Sequence, residues 1–140
     1  MSGPETRFYT SVHRHLPPES EFHREKMHNP YRGGTADHWY SGRKADLWVE
    51  WKFIKLPKRV TTVIDLTAGS NPVLSVLQQQ WISDRFDEGR NIWVCVGFEK
   101  GCRVFDNMAW ANAYSCHSYL TDSLSRQETA SKILNFCQGR

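Results

Sequence analysis

One run, Ala45-Asp46-Leu47-Trp48-Val49-Glu50-Trp51-Lys52-Phe53-Ile54, constrains this chain more than any other stretch. It is short, mostly apolar and rich in β-formers, which predicts a buried strand. Side chains alternate along a strand, so Glu50 and Lys52 share one face while Val49, Trp51 and Phe53 take the other. A carboxylate and an amine in an apolar strand are costly to bury unless they pair or bind something. Upstream lies Thr35-Ala36-Asp37-His38-Trp39-Tyr40, with Ser41-Gly42-Arg43-Lys44 as a turn between the two segments. A hairpin there brings Asp37 beside Glu50. Two adjacent carboxylates suit a divalent cation, and an oxygen-only ligand set favours Mg²⁺ or Mn²⁺. Lys52 is then placed to orient a nucleophilic water or to stabilise a phosphorane-like transition state. The plainer alternative is a same-face Glu50–Lys52 ion pair on a half-exposed edge strand.

The rest of the chain supplies a frame for that strand. Thr6 to Leu16 reads as a first helix, with Phe8 and Val12 at helical spacing, Pro4 before it and Pro17-Pro18 after it. Glu21 to His28 reads as a strand and Asn29 to Gly34 as a loop. Val60 to Thr67 has β character within a long connection from Leu56 to Pro72, a stretch suited to face a substrate. Ser75 through Gly89 reads as a helix with Leu74, Leu77, Trp81 and Arg85 along one face, Gln78 between them, and Ile82 and Phe86 broadening the stripe. Ile92 to Phe98 and Cys102 to Phe105 read as strands joined at Lys100-Gly101. Strand, helix, strand implies a crossover that sets the second of these elements beside the Glu50 strand. A short helix begins at Met108, and Ser125-Arg126-Gln127-Glu128 is a capping box that opens a last helix.

At 140 residues the chain is expected to form one domain spanning 1–140. No stretch is long and apolar enough for a membrane span, and the first residues do not read as a signal peptide, so a cytoplasmic location is expected. Cys95, Cys102, Cys116 and Cys137 are spread too widely for a structural zinc site and are expected as reduced thiols. His13 and His15, two apart on a helix, face different sides, which argues against zinc there as well. His38 is expected to point away from Asp37, to the opposite face of its strand. The net charge of +3 is compatible with DNA binding without requiring it. Its distribution says more: Lys26, Arg32, Arg43, Lys44, Lys55, Lys58 and Arg59 all flank the carboxylates in sequence. They are candidates for a phosphate-binding rim, or else a solvated loop surface.

Several of these pieces together resemble a known family. Gly34-Thr35-Ala36-Asp37, then Leu47-Trp48-Val49-Glu50-Trp51-Lys52, then Leu74-Ser75-Val76-Leu77-Gln78 with Trp81, then Asn91-Ile92-Trp93-Val94-Cys95-Val96-Gly97 follow in a specific order. That order resembles the PD-(D/E)xK nuclease superfamily and, within it, the small stand-alone VRR-NUC proteins common in phages. The likeness runs from about Glu5 to Asp106; Ala36 stands where the superfamily has a proline. It implies an α/β restriction-endonuclease-like fold, a central mixed sheet flanked by helices. It implies Asp37, Glu50 and the backbone carbonyl of Trp51 as metal ligands for Mg²⁺ or Mn²⁺, and Lys52 as the catalytic lysine. Gln78 matches the family's helix glutamine, which looks into the site; alternatively it is an exposed glutamine beside Gln79 and Gln80. Glu5 matches the acidic residue of the first helix, also catalytic and metal-facing, or else it is a carboxylate favoured by the helix dipole. The implied activity is metal-dependent DNA endonuclease, acting as a homodimer on branched or structured DNA in the manner of a Holliday-junction resolvase, in replication, recombination or repair. A phage-encoded member would work in the host cytoplasm.

Two rivals stand beside this reading. One is a less selective nuclease or nickase for DNA turnover, or a non-catalytic DNA-binding module on the same fold; the module predicts a broken acid–acid–lysine set, whereas Asp37, Glu50 and Lys52 are all present. The other is a metal-independent interaction protein displaying Trp39, Tyr40 and Trp110.

Overall fold

The computed structural model describes residues 3–28 and 33–139. Helix α1 (Pro4–His13) leads to strand β1 (His23–Lys26), then β2 (His38–Ser41) and β3 (Asp46–Phe53). After the short strand β4 (Val63–Ile64) come helix α2 (Val76–Asp87) and strands β5 (Ile92–Phe98) and β6 (Gly101–Phe105). A 3₁₀ turn (Met108–Ala111), β7 (Tyr114–Ser115), α3 (Cys116–Thr121) and α4 (Arg126–Gln138) complete the order. The main sheet runs β1-β2-β3-β5-β6, so the Glu50 strand is the middle one of five and not an edge. Its pairing with β5 is parallel and the other pairings are antiparallel. The crossover through α2 is what a parallel pair requires.

Two apolar cores clamp the sheet. On one face Val49 and Trp51 of β3 pack with Phe8 and Val12 of α1 and Ile133 and Cys137 of α4. On the other, Val94 and Val96 of β5 pack with Ile82 of α2, Tyr119 of α3 and Trp110. Alternation along β3 produces this split, and the strand is capped by helices on both sides, as its apolar density demands. The β2–β3 turn is pinned by the end of α4: Lys44 and Ala45 both donate to the Cys137 carbonyl, at 2.9 and 3.1 Å. Any side chain at Gly42 would overlap that carbonyl, which explains a glycine in this turn.

The differences from expectation have physical causes. α1 starts at Pro4 and ends at His13, with a further turn carrying the chain to a buried Leu16. The 60–67 segment is mostly irregular, and only Val63–Ile64 pairs, with β7. Leu77 does not line the inner face of α2: it is 58% exposed, because Gln78 and Ile82 turn to the sheet instead. Tyr40 and Trp110 are buried and present no aromatic surface, and Trp39 donates its indole N–H to Asp46 at 3.0 Å. All four cysteines are free and buried. No helix among the described residues is long and apolar enough to cross a membrane.

Candidate active site

β2 is shorter than β3, and that mismatch makes the site. The last β2–β3 pair is His38 with Val49, so one step further Asp37 falls opposite Glu50. Beyond this point β3 has no strand beside it on the β2 side. The Trp51 N–H, which a longer β2 would have taken, donates to Asp37 Oδ2 at 2.8 Å. In a strand the N–H and C=O of one residue point the same way, so the Trp51 carbonyl also faces this opening. The other carboxylate oxygen of Asp37 meets Lys26 Nζ at 3.4 Å across the β1–β2 pair.

Glu50 is completely buried in the middle strand. Its Oε2 accepts a hydrogen bond from Gln78 Nε2 at 3.2 Å and lies 3.6 Å from Lys52 Nζ. Its Oε1 is buried and has no hydrogen-bond partner among the described residues. Burial first, then the negative charge of Asp37, pushes the Glu50 carboxyl up to about 9, although Lys52 pulls it down. One ammonium at 3.6 Å is therefore outweighed: the pocket is short of positive charge when both acids are ionised. Gln78 reaches Glu50 because it is held twice. Its side-chain oxygen accepts from Ser75 N at 2.9 Å, and its backbone N–H donates to Ser75 Oγ at 3.1 Å, a complete capping box. The start of α2 can sit this close because Gly34, at φ +96°, packs against the Leu77 carbonyl.

Glu5, in the first turn of α1, is half-buried. Burial raises its carboxyl above the ordinary value, Lys52 opposes, and Asp37 adds to the rise, so Glu5 lies within the electrostatic reach of the pair. It does not join them in a tight cluster: among the described residues no three His, Cys, Asp or Glu side chains are grouped to hold a metal ion. What the residues offer a divalent cation is narrower. It is two adjacent carboxylates, one with an orphaned buried oxygen, and a carbonyl aimed at the same opening. Oxygen ligands of this kind suit a hard cation that keeps several waters, as Mg²⁺ does.

The basic residues separate into groups. Lys26 stands at the site, half exposed and paired with Asp37. Lys55, Lys58 and Arg59 are exposed on the segment that leaves the end of β3 just after Lys52. Arg43 and Lys44 do not join a rim around the carboxylates. They lie in the turn at the other end of β3, about 20 Å away along an extended strand, against the end of α4. Arg32 lies outside the described residues.

His38 does point away from Asp37. It is buried on the opposite face, edge-on to Tyr9 and His13 at 4.7 and 4.9 Å between ring centres. His13 Nε2 is hydrogen-bonded to the Tyr40 hydroxyl at 2.6 Å. Desolvation lowers His13 to about 4 and His38 to about 3, so both rings are neutral core members. This cluster and the Ser75 cap escaped sequence reasoning. The Ser-x-x-Gln spacing at 75–78 carried the signal for the cap, while no local pattern signals the cluster.

No protein-family model matches the sequence, and no curated protein does. Among solved structures, the chain is similar to Hjc, a Holliday junction resolvase from the archaeal hyperthermophile Archaeoglobus fulgidus. The identity is 15%, the match covers 89% of this chain and 98% of that one, and the TM-score is 0.51. The shared architecture is a restriction-endonuclease-like α/β fold, a mixed five-stranded sheet flanked by helices.

Proposed function

We propose that this chain is a divalent-metal-dependent DNA endonuclease, a stand-alone VRR-NUC-type enzyme formed by one domain. In this reading it cuts branched DNA as a homodimer in the cytoplasm. The observation that carries the reading is Glu50: a fully buried acid in the middle strand of the sheet, opposite Asp37, with one oxygen that meets no hydrogen-bond donor among the described residues. A buried acid held this way is expensive unless it serves a ligand. The fold likeness to a junction resolvase supports the choice of branched DNA, and a dimer would set two sites across a two-fold symmetric substrate.

Asp37, Glu50 and the Trp51 carbonyl would hold Mg²⁺ or Mn²⁺. When bound, the metal supplies Lewis-acid polarisation of the scissile phosphate and acidifies a water. Lys52 supplies positive charge beside the attacked phosphate and a donor to the attacking water. Gln78 fixes the orientation of Glu50 through Oε2 and leaves Oε1 for other work. Glu5 borders the opening from α1, and Lys26 pairs with Asp37. Lys55, Lys58 and Arg59 would bind phosphates beyond the end of β3.

The test is cleavage of end-labelled four-way junction, flap, duplex and single-stranded DNA in EDTA, Mg²⁺ or Mn²⁺, beside Glu50→Gln. Metal-dependent cuts placed symmetrically about the junction and lost in the variant are expected. Equal cutting of every substrate would leave a nuclease for DNA turnover and remove the junction claim. Binding without any cutting by the wild type would make the chain a DNA-binding module.

A further inference from the structure

β3 and β5 run parallel, and in open α/β sheets ligands collect outside the carboxyl ends of parallel strands. In this protein those two ends do not close over. They leave a hollow of about 480 Å³ between the residues that follow Lys52 and the β5–β6 turn, with α3 as its far wall. That volume is within the roughly 300–1,000 Å³ of small-ligand sites. Its walls are apolar: Phe53, Leu56, Phe98 and Leu120. Leu120 is 39% exposed, an uncovered leucine on a short helix. At its rim stand two exposed cations, Lys55 and Lys100, against one anion, Glu99. A second hollow shares Phe53 and Glu99 with the first and leads back to Pro4 and Arg7, on either side of Glu5. The second hollow lies on the α1 side of the sheet, where Phe53 packs against Phe8, the face opposite Glu50 and Lys52.

An aromatic and aliphatic hollow with a basic rim has the chemistry of a base site: an apolar slot for a ring, cations for the phosphates on either side. Its basic rim argues against a purely apolar guest. We propose that this hollow receives an unpaired base of the DNA strand next to the scissile phosphate, with Lys55 and Lys100 on the flanking phosphates. The inference rests on the nuclease reading and sharpens it: the substrate carries a splayed or single-stranded nucleotide at the cut. Ile54 also lines the hollow and stands two residues beyond Lys52, on the same side of the strand, so engaging the base fixes the DNA close to that lysine.

The test uses the full chain carrying Glu50→Gln, so that no strand is cut during binding. Affinity is measured by fluorescence anisotropy for duplex DNA and for forked DNA whose single-stranded arm carries an abasic site at successive positions from the branch. One or two positions are expected to weaken forked binding about 5- to 150-fold when abasic, the range of base–aromatic stacking. Filling the hollow with Leu120→Trp is expected to lower the forked-to-duplex affinity ratio over the same range. Abasic arms that bind as tightly as intact ones would overturn the proposal. So would a Leu120→Trp chain that loses forked and duplex DNA in equal measure. The cleavage panel separates the two levels: wild-type cutting with indifference to abasic sites removes the base site alone, whereas neither cutting nor DNA binding removes the nuclease reading and the base site with it.

Discussion

The two faces of β3 are built from alternate residues of one strand and behave as opposites. On one face Val49 and Trp51 are sealed by α1 and α4, and the nearby titratable rings, His13 and His38, are held neutral. On the other face Glu50 and Lys52 meet Gln78, and acids crowd one another. One face maximises packing; the other leaves an unsatisfied demand for positive charge. The contrast separates stability from the proposed chemistry along a single strand, and each prediction that follows presses on that separation.

The largest effect falls on the polar face. Glu50→Gln is expected to lower metal-dependent cleavage by more than about 10³-fold while leaving the fold intact, read by gel assay beside circular dichroism. On the packed face, Trp51→Ala removes a fully buried indole and is expected to cost about 3–5 kcal/mol of stability, measured by denaturant unfolding. If Trp51→Ala kept its stability and lost only cleavage, the two faces would not divide as described. Gln78→Ala bridges them: cleavage is expected to fall about 10- to 100-fold through loss of the Glu50 positioning bond, with about 1 kcal/mol lost from the α2 cap. The smallest effect belongs to Tyr40→Phe, which breaks the bond to His13. A loss of about 0.5–1.5 kcal/mol with unchanged cleavage is expected.

Proton linkage gives the faces opposite signs. Glu50 releases its proton near 4.5 when unfolded and about 9 when folded, so between these values the folded state binds more protons and stability falls as pH rises. His13 and His38 take up protons near 6.5 when unfolded but only near 4 and 3 when folded. Their contribution to stability is present above 6.5 and is lost as pH falls toward those values. Metal-free thermal unfolding from pH 4 to 9 is therefore expected to show a maximum, and Glu50→Gln to flatten the alkaline limb while steepening the acid limb above 4.5. A variant that flattened the acid limb instead would reverse the assignment of the two faces.

Local patterns made much of this legible. The 45–54 run, its alternation and the strand–helix–strand order predict the middle of the sheet, and Asp37 was placed beside Glu50 by counting across a turn. Gln78 was legible as a residue type at a position; its reach to Glu50 depends on the Ser75 cap and on Gly34 letting α2 approach. The basic residues were the least legible. Sequence proximity put Arg43 and Lys44 with the acids, yet a strand is stiff and extended, so neighbours in sequence along it are far apart in space. Exposure misled for Tyr40 and Trp110, because an aromatic in a short or irregular segment carries no mark of which layer will cover it.

Periodicity and turn chemistry determined the strand around β3, the side on which each of its residues falls, and the nearness of Asp37 to Glu50. Covalent spacing and strand alternation require no partner, and they are written in the order of residues. Only the tertiary structure decided that β2 pairing ends at His38, just before Asp37, that one Glu50 oxygen meets no hydrogen-bond donor among the described residues, and that the ends of β3 and β5 leave a hollow under Leu120. Those features depend on which segments end where in space, and burial, desolvation and unfilled volume exist only once separate segments have packed.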